Sequence, residues 1–340
     1  MKICVIGGGG AIGGYLAAKL ARAGNQVTVV ARGATLAAIQ KNGLTLHMEN
    51  EPHPIVAHVK AVEKIRDVET PDVIMLAVKA HQIEPIIDDV ASIIGPETVL
   101  IPMQNGIPWW YFQNLPGQYE DLPVETVDPC GQIMKKINPR NVIGCVVYPA
   151  TYSVSPGVIK HVEGNRFPIG ELDGSVSERI QKISELMADA GFKSPILEDI
   201  RSEIWLKLWG NMTFNPISAL THEHLEGICR NPLTKELARN MMLEAQTIAE
   251  KLGVEFRVDV ERRISGAEKV GKHKTSMLQD LEAGNNLEID ALLGSVIELG
   301  TVTNTLTPCL STVFALTKLL NTKVQSSQGK LALPELAVEH

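Results

Sequence analysis

Three polar side chains in the second half of the sequence recur at the repeat of an α-helix. Lys207, Asn211 and Asn215 stand four residues apart in a stretch that is otherwise rich in large apolar residues. Four-residue steps place side chains on one helix face, and asparagine is a poor residue for a helix interior. A lysine partly removed from water on such a face is suited to proton donation. The pattern therefore predicts either a catalytic stripe or a solvent-facing polar one.

A glycine-rich segment near the start of the chain is the second group of residues suited to chemistry. Gly8, Gly10 and Gly13 fit the G-x-G-x-x-G pattern of dinucleotide-binding turns, whereas a frame that starts at Gly7 fails at Ile12. The first glycine makes the turn, the second lets the backbone approach the pyrophosphate, and the third lets helix and strand pack closely. The alternative is a purely structural turn. The predicted cofactor loop comprises Gly8, Gly9, Gly10, Ala11, Ile12 and Gly13, with Gly7 as a spare residue before it.

The residue at the end of the second predicted strand indicates whether NAD(H) or NADP(H) is bound. NAD enzymes usually place an acidic residue there for the ribose 2′-hydroxyl. Residues 26–34 contain no acid, and Arg32 occupies that position. A guanidinium is suited to holding a 2′-phosphate, so the sequence favours NADP(H). The alternative for Arg32 is a solvated surface arginine.

These residues lie in an alternation of strands and helices that gives way to helices alone near residue 200. A Rossmann-type, doubly wound α/β domain is therefore predicted over residues 1–198, an all-helical domain over 199–325 and a loose tail over 326–340. The predicted strands are 2–6, 26–31, 72–78, 98–103, 142–147, 158–162 and 167–170. The predicted helices are 15–23, 81–94, 176–190, 201–214, 232–252, 276–283, 287–299 and 308–320.

The bulk composition excludes several classes of partner. A net charge of −7 over 340 residues argues against nucleic acid as a main ligand, because backbone binding needs a basic surface. No apolar run reaches the ~18 residues of a membrane-spanning helix. The five cysteines have neither metal-ligand nor disulfide-framework spacing, so we expect no metal site and a reducing, cytoplasmic location.

Taken together, the motifs resemble the ketopantoate reductase (2-dehydropantoate 2-reductase) family, and they follow the family's order along the chain. The combination is more specific than any single motif. The matching stretches are the 8–13 loop, Val78-Lys79-Ala80, Gln104-Asn105-Gly106, Trp205 to Pro216, Ser276 to Asp280, and Glu288-Ile289-Asp290.

The resemblance implies reduction of 2-ketopantoate to pantoate with NADPH, on the route to pantothenate and coenzyme A. It implies an active site in the cleft between a Rossmann domain and a helical domain of the 6-phosphogluconate dehydrogenase C-terminal type. By the same resemblance, Lys207 protonates the carbonyl oxygen as hydride arrives, and Glu288 is the carboxylate near that lysine. The implied substrate contacts are Asn105, Asn211, Asn215 and Ser276, and Asn105 is also implied near the nicotinamide of the cofactor. The implied contacts with the adenosine end of NADPH are Arg32, Lys79 and Gln82.

Three of these residues have a physical interpretation of their own. Ser276 and Gln279 match a capping box, and the helix start that they predict would favour the substrate carboxylate. Asn105 follows a strand at the carboxyl edge of the predicted sheet, where such sheets bind ligands. The plainer alternatives are an ordinary helix cap at Ser276, a simple turn at Asn105 and a first-turn acid at Glu288.

Three features depart from the family pattern, and the first is the extra Gly7, which shifts the glycine fingerprint by one residue. His273 stands where well-characterised relatives carry a substrate-contacting asparagine, so either it reads a different substrate tail or it is a surface histidine. Trp109-Trp110-Tyr111-Phe112 opens a long irregular segment through Arg140. This aromatic cluster predicts a substrate-cleft wall, a subunit contact or a satellite core.

The sequence leaves other functions open. A hydroxyacid or polyol-phosphate dehydrogenase with the same two-domain construction would share most of the motifs. A non-catalytic NADP(H)-binding sensor would share the fold and the cofactor loop. Both a monomer and a homodimer formed through the helical domain are compatible with the sequence.

Overall fold

Short apolar strands in the first half of the chain assemble into three sheets in the computed structural model, which describes residues 1–49 and 51–326. The largest sheet is parallel, with strand order β5-β2-β1-β6-β7, and it confirms the predicted doubly wound fold. The strands are β1 (Lys2–Ile6), β2 (Gln26–Val30), β3 (Leu44–His47), β4 (Ile55–Ala57), β5 (Lys60–Val62), β6 (Val73–Leu76), β7 (Val99–Pro102), β8 (Ile143–Cys145), β9 (Ala150–Ser155), β10 (Val158–Glu163) and β11 (Ile169–Glu171).

Helices occupy both halves of the chain, and every strand within the described ranges ends before residue 172. The chain divides into two units, Met1–Glu203 and Ile204–His340, with the boundary inside one long helix. The helices are α1 (Ala11–Arg22), α2 (Gly33–Asn42), α3 (Ile87–Ile93), α4 (Gln132–Lys136), α5 (Glu178–Asp189), α6 (Ile200–Thr221), α7 (Leu225–Arg230), α8 (Pro232–Lys251), α9 (Val260–Val270), α10 (Ser276–Glu282), α11 (Ser295–Val302) and α12 (Pro308–Ser326).

The strand order places the chain reversal between β1 and β6 at the centre of the parallel sheet. In open α/β sheets this reversal opens a crevice at the carboxyl ends of the strands, where ligands bind. Both strands are buried and apolar along almost their whole length, as a sheet covered on both faces requires. The loops after Ile6, Leu76 and Pro102 therefore meet at the ligand-binding edge.

Helix α1 packs between the parallel sheet and a second sheet with strand order β4-β3-β10-β9. The approach to β10 is close, because a β-carbon added at Gly14 would lie 2.5 Å from Ile159 Cδ1. The sequence predicts β10 but not β3, β4 or β9 of this sheet, and it also does not predict β5 of the parallel sheet. Those strands are short, and the outer residues of β9 are exposed, so they lack a continuous apolar run.

Several predicted helices have different bounds in the structure, and the sequence did not predict α2, α4, α7 or α9. Residues 81–94 form two 3₁₀ turns, Ala80–Gln82 and Glu84–Ile86, before α3, and Pro85 lies at the interruption. Helix α6 continues through Pro216 to Thr221 instead of ending at Phe214, so the proline is accommodated inside it. Helix α12 extends to Ser326, and the rest of the predicted loose tail lies outside the described residues.

The aromatic cluster Trp109-Trp110-Tyr111-Phe112 is a satellite core of the first unit. Its four side chains are at most 2% exposed, which leaves no aromatic face for a partner subunit. A β-carbon at Gly144 would lie 2.7 Å from Trp110 Cη2, so β8 packs directly against the cluster. Of the three alternatives for this segment, burial therefore favours the core.

Arg201 fixes this segment from the start of α6. Its guanidinium is buried and donates hydrogen bonds of 2.7 Å to the backbone carbonyls of Tyr111, Gln113 and Leu172. Burial lowers the pKa of this arginine from its ordinary value. One side chain thus satisfies three carbonyls that have lost access to water.

Arg201→Met should lower the free energy of unfolding by about 3 kcal/mol, because it leaves buried carbonyls without donors. Urea unfolding monitored by tryptophan fluorescence measures the change. Lys41→Met, an exposed charge in α2 of the same unit, is the matched control and should change stability by about 0.5 kcal/mol or less. Equal stability of the two variants would contradict the structural role of Arg201.

Candidate functional site

The glycine loop joins β1 to α1, and its first residue carries the turn. Gly7 has a φ of +83°, and its carbonyl accepts a hydrogen bond of 2.9 Å from the amide of Gly10. A β-carbon at Gly7 would also lie 2.9 Å from the Ala77 carbonyl oxygen. The prediction that Gly7 is spare and that Gly8 makes the turn is therefore wrong, because the left-handed backbone falls one residue earlier.

The other glycines are required by close packing. A β-carbon at Gly13 would lie 2.3 Å from the Gly7 carbonyl oxygen, and one at Gly8 would lie 2.6 Å from Val29 Cβ. At Gly10 the nearest atom would be the Gly7 oxygen, at 3.2 Å. Gly13 thus lets α1 start directly against the turn, which is the role that the motif gives to its third glycine.

The N-terminus of α1 is prepared for an anion. Gly10 is the N-cap residue, no side chain caps the helix, and its first turn contains no acidic residue. The first backbone N–H groups of a helix have no partner within it, and the helix dipole favours negative charge there. This end of α1 therefore fits the pyrophosphate of a dinucleotide.

A cavity of about 430 Å³ lies beside this loop at the carboxyl ends of β1 and β2. It brings together four predicted cofactor residues, Gly9, Gly10, Arg32 and Gln82. Its other lining residues are Ile6, Gly7, Val30, Ala31, Thr35, Ile65, Val78, His81, Pro85 and Ile86. Thr35 and His81 escaped the sequence reading, because their placement depends on how α2 and the Ala80–Gln82 turn fold against the sheet.

The remaining predicted cofactor residues lie outside the lining of this cavity. Gly8 and Gly13 shape the loop by close packing, while Ile12 packs against the hydrophobic core. Ala11 is the first residue of α1. Lys79 precedes the Ala80–Gln82 turn, and its backbone N–H donates a 3.0 Å hydrogen bond to Gln82 Oε1.

Arg32 lies at the N-cap position of α2 and is exposed at the cavity. The first turn of α2 holds no acid and no capping side chain. A guanidinium and a helix N-terminus both attract a phosphate, and here they occur at the same point. The position is therefore suited to a 2′-phosphate and lacks the carboxylate that would hold a 2′-hydroxyl.

Asn105 follows β7 in the loop at the ligand-binding edge of the sheet and is partly buried. The neighbouring Gln104 holds this loop, since its Nε2 donates to the carbonyls of Leu76 at 2.6 Å and Val78 at 2.8 Å. These bonds fasten the loop after β7 to the end of β6. Asn105 therefore lies in a loop that side-chain hydrogen bonds hold to the end of β6.

In the second unit, the predicted polar stripe lies on a single helix. Lys207, Asn211 and Asn215 all belong to α6. The first two are half-buried, while Asn215 is only 6% exposed. Asn215 Nδ2 donates to Ser276 Oγ at 3.4 Å, which brings together two predicted substrate contacts that are far apart in the sequence.

The predicted capping box at Ser276 is wrong. Thr275 is the N-cap residue of α10, and its Oγ1 accepts a 3.3 Å hydrogen bond from the amide of Leu278. Gln279 donates instead to the Lys274 carbonyl at 3.2 Å. The threonine one residue earlier takes the capping role, so the Ser276 hydroxyl is available to the partly buried Asn215 amide.

His273 and Glu288 lie on either side of α10. His273 is in the loop before the helix, and its carbonyl accepts a 3.3 Å bond from the amide of Leu225. Glu288 is half-buried and directly precedes a helical segment that opens with a π-helical stretch, Asp290–Gly294. Such π-bulges are frequent at functional sites.

Residues 1–49 and 51–326 contain no group of three or more His, Cys, Asp or Glu side chains placed to hold a metal ion. In the same ranges, no helix has both the length and the apolar character needed to cross a membrane.

Comparison with known proteins identifies relatives along almost the whole chain. Family models described as ketopantoate reductase PanE/ApbA and its C-terminal region match residues 3–174 and 199–321. A Mesorhizobium japonicum protein named 2-dehydropantoate 2-reductase is 51% identical over 94% of this chain and 98% of its own.

Solved structures extend these similarities. A Ralstonia solanacearum MolK2 protein, provisionally described as a ketopantoate reductase, has a TM-score of 0.90 and 38% identity over 95% of this chain and 98% of its own. D-Mandelate dehydrogenase with NADH and anilino(oxo)acetate has a TM-score of 0.81 at 21% identity, over 95% of this chain and 99% of its own. The second likeness concerns the fold alone.

Proposed function

Because this chain belongs to the ketopantoate reductase family, a family of NAD(P)-dependent oxidoreductases, we propose that it reduces 2-dehydropantoate to pantoate with NADPH. The observation that carries the proposal is the polar stripe of α6. It presents a half-buried lysine and two amides on one face, and the last amide bonds to the Ser276 hydroxyl at 3.4 Å. A lysine ammonium and neutral hydrogen-bond donors in a row are suited to binding a 2-keto acid, in which a polarised carbonyl stands beside a carboxylate.

The cofactor supplies hydride to C2 of the keto acid when it is bound. The amides at the start of α1 would hold its pyrophosphate and the cavity beside Gly9 and Gly10 would take its adenosine end, and we assign Asn105 to its nicotinamide end. These residues fit a dinucleotide because the glycine positions of the loop carry no side chain and no side chain caps the start of α1.

Lys207 donates the proton. As the carbonyl oxygen of the keto acid gains negative charge, the ammonium stabilises it and then transfers a proton to it, which gives the hydroxyl of the product. Glu288 is half-buried before the π-helical stretch, and we assign it as the carboxylate near Lys207 and the substrate. Proton supply and substrate orientation thus come from one helical unit.

Neutral hydrogen-bond donors hold the substrate. Asn211 and Asn215 continue the stripe beyond Lys207, and Ser276 joins Asn215 for the substrate carboxylate. We assign His273, three residues before Ser276, to the end of the substrate away from its carboxylate. An imidazole presents a donor and an acceptor, which suits a hydroxyl group on the substrate.

NADPH is preferred over NADH because of the N-terminus of α2. Arg32 and the uncapped first turn together favour a 2′-phosphate, with Thr35 lining the same cavity. Lys79 and Gln82 are assigned to the adenosine end from the other side of the cavity, where Gln82 lines the wall.

Arg32→Ala should raise KM for NADPH by about 10- to 100-fold, since charge-assisted hydrogen bonds contribute about 1.5–3 kcal/mol. KM for NADH should change by about twofold or less, because NADH has no 2′-phosphate to lose. Initial rates with both cofactors measure the ratio, and Lys41→Ala near the end of α2 is the matched control. Equal losses with NADPH and NADH would contradict the assignment of Arg32 to the 2′-phosphate.

A panel of 2-keto acids tests the substrate. NADPH oxidation should be fastest with 2-dehydropantoate and slower with 2-ketoisovalerate, which lacks the hydroxymethyl group. Preference for an aromatic or unbranched keto acid would assign the chain instead to another hydroxyacid dehydrogenase. Cofactor binding without turnover on any member of the panel would indicate a sensor.

The proposal keeps the predicted division into a cofactor domain over 1–198 and a catalytic domain over 199–325. Every residue assigned here lies on a single chain, and a homodimer is compatible with this assignment. The five free cysteines fit the reducing cytoplasm that we assign as its location.

A further inference from the structure

The middle of α6 contains a glycine, Gly210, to which the proposed reaction assigns no role. Gly210 is buried, three residues after Lys207 and one residue before Asn211. Glycine inside a helix lowers its stability relative to alanine, because the glycine backbone loses more conformational freedom on folding. A glycine between two proposed site residues therefore needs a reason for its position.

The missing side chain makes room for Arg263, a half-buried residue on α9 of the same unit. A β-carbon at Gly210 would lie 2.3 Å from Arg263 Nη2, 3.0 Å from its Cζ and 3.4 Å from its Nε. These are the three nearest atoms, and all of them belong to one guanidinium. The guanidinium thus lies directly against the backbone of α6, where a side chain at position 210 would displace it.

This contact places the guanidinium beside the proposed proton donor. Side chains three positions apart on a helix have β-carbons about 5–6 Å apart. The guanidinium touches the β-carbon position of Gly210, so it lies within about 9 Å of the β-carbon of Lys207. Asn211 follows Gly210 directly in the chain. The cation is therefore next to two residues of the polar stripe.

Arg263 is also in an unfavourable position for its own helix. It belongs to the first turn of α9, which begins after the N-cap residue Asp259. The helix dipole favours negative charge at that end and disfavours a cation. Two locally unfavourable choices, a glycine inside α6 and an arginine at the start of α9, thus meet in one contact. Such departures from local preference are expected at functional sites.

The charges of the proposed site give this cation a role. Lys207 and Glu288, as assigned, carry one positive and one negative charge. The donors assigned to the substrate carboxylate, Asn215 and Ser276, are neutral. An anionic keto acid would therefore add a negative charge without a counter-charge to a partly buried site, which is costly. A guanidinium stays charged at neutral pH, and its donors match the geometry of a carboxylate.

We propose that Arg263 is a further substrate-binding residue, whose guanidinium, in contact with Gly210, supplies the positive charge for the carboxylate of the keto acid. The neutral donors Asn215 and Ser276 orient that carboxylate, and Lys207 serves the carbonyl oxygen. The inference rests on the proposed function, because it takes the polar stripe of α6 as the place where a keto acid binds.

Arg263→Met should raise KM for 2-dehydropantoate by about 10- to 100-fold, the effect of losing one charge-assisted hydrogen bond. Because the interaction exists before and during the reaction, kcat should fall by about threefold or less, and KM for NADPH should stay within about twofold. Arg263→Lys keeps the charge and should recover part of the loss. The matched control is Arg262→Met, which removes the exposed neighbouring arginine and should leave these constants unchanged.

Gly210→Ala tests the contact while the charge stays in the protein. The alanine should push aside the guanidinium, which is the end of a flexible side chain, and raise KM for 2-dehydropantoate in the folded enzyme. In the Arg263→Met background the same alanine should raise KM no further, since no guanidinium remains to be displaced. Such non-additivity indicates that the two residues act through one contact.

Each outcome bears on a separate claim. An unchanged KM for 2-dehydropantoate in folded Arg263→Met, or an equal rise in Arg262→Met, would overturn the inference while wild-type turnover leaves the proposed function intact. Should Arg263→Met fail to fold, Gly210→Ala decides, and an unchanged KM there overturns the inference. If the wild-type protein shows no turnover, the proposed function fails. Titration calorimetry with 2-dehydropantoate and NADP⁺ then tests Arg263 by itself, and equal affinities of wild type and Arg263→Met would overturn its role.

Discussion

Lys207→Ala should lower kcat for keto acid reduction by about 10²- to 10⁴-fold, the contribution of a positioned general acid. The substitution removes the proton donor and the positive charge that stabilises the developing alkoxide. It should leave NADPH affinity within about twofold, because the residues assigned to the cofactor lie in the first unit, whereas Lys207 lies in the second. Initial rates and fluorescence titration with NADPH separate the two effects.

The matched control for this variant is Lys269→Ala, which removes an exposed lysine from α9 of the same unit. Its kcat should equal that of wild type. Lys207→Met, which keeps most of the side-chain volume, should be as slow as Lys207→Ala if charge and proton matter more than packing. A rate near that of wild type for either Lys207 variant would contradict the assignment of the proton donor.

Gly13→Ala should abolish measurable NADPH binding and also destabilise the first unit by about 1–3 kcal/mol, the usual cost of overpacking. The added β-carbon would lie 2.3 Å from the Gly7 carbonyl oxygen and 2.8 Å from its carbon. Both are backbone atoms of the turn, so relief requires the loop or the start of α1 to move. Either movement displaces the amides that face the pyrophosphate.

Gly266→Ala provides the control for Gly13→Ala. Gly266 lies inside α9, and a β-carbon there would have no atom within 4 Å. Alanine should therefore stabilise the protein by about 0.5–1 kcal/mol and leave NADPH affinity unchanged. Thermal melts and NADPH titrations of both variants measure the contrast. Wild-type NADPH affinity in Gly13→Ala would contradict the role of the loop.

Local pattern was sufficient to predict β1, β2, β6 and β7 of the parallel sheet, since continuous apolar runs such as Val73–Leu76 identify strands covered on both faces. It did not predict the edge strand β5, which has three residues. It was insufficient for the small antiparallel strands, such as Ala150–Ser155, whose outer residues are exposed. It also assigned the turn to Gly8, whereas Gly7 makes it. The backbone angle of Gly7 depends on its packing against Ala77, which is far away in the sequence.

The candidate site likewise combines features that local pattern predicts with contacts that it does not predict. The four-residue spacing of Lys207, Asn211 and Asn215 was readable because a helix converts spacing into a face. The contact between Asn215 and Ser276 joins residues 61 positions apart, and the guanidinium of Arg263 meets Gly210 from another helix. Such contacts depend on how elements pack, and one sequence without a fold does not specify them.

The most direct measurement of the proposed function follows deuterium from the cofactor to the product. Incubation of the wild-type protein with 2-dehydropantoate and NADPH deuterated at the transferable C4 position should yield pantoate with deuterium on C2, detected by mass spectrometry. The label should be transferred far more slowly by Lys207→Ala. NADPH binding without labelled pantoate from the wild-type protein would contradict the proposed reductase activity.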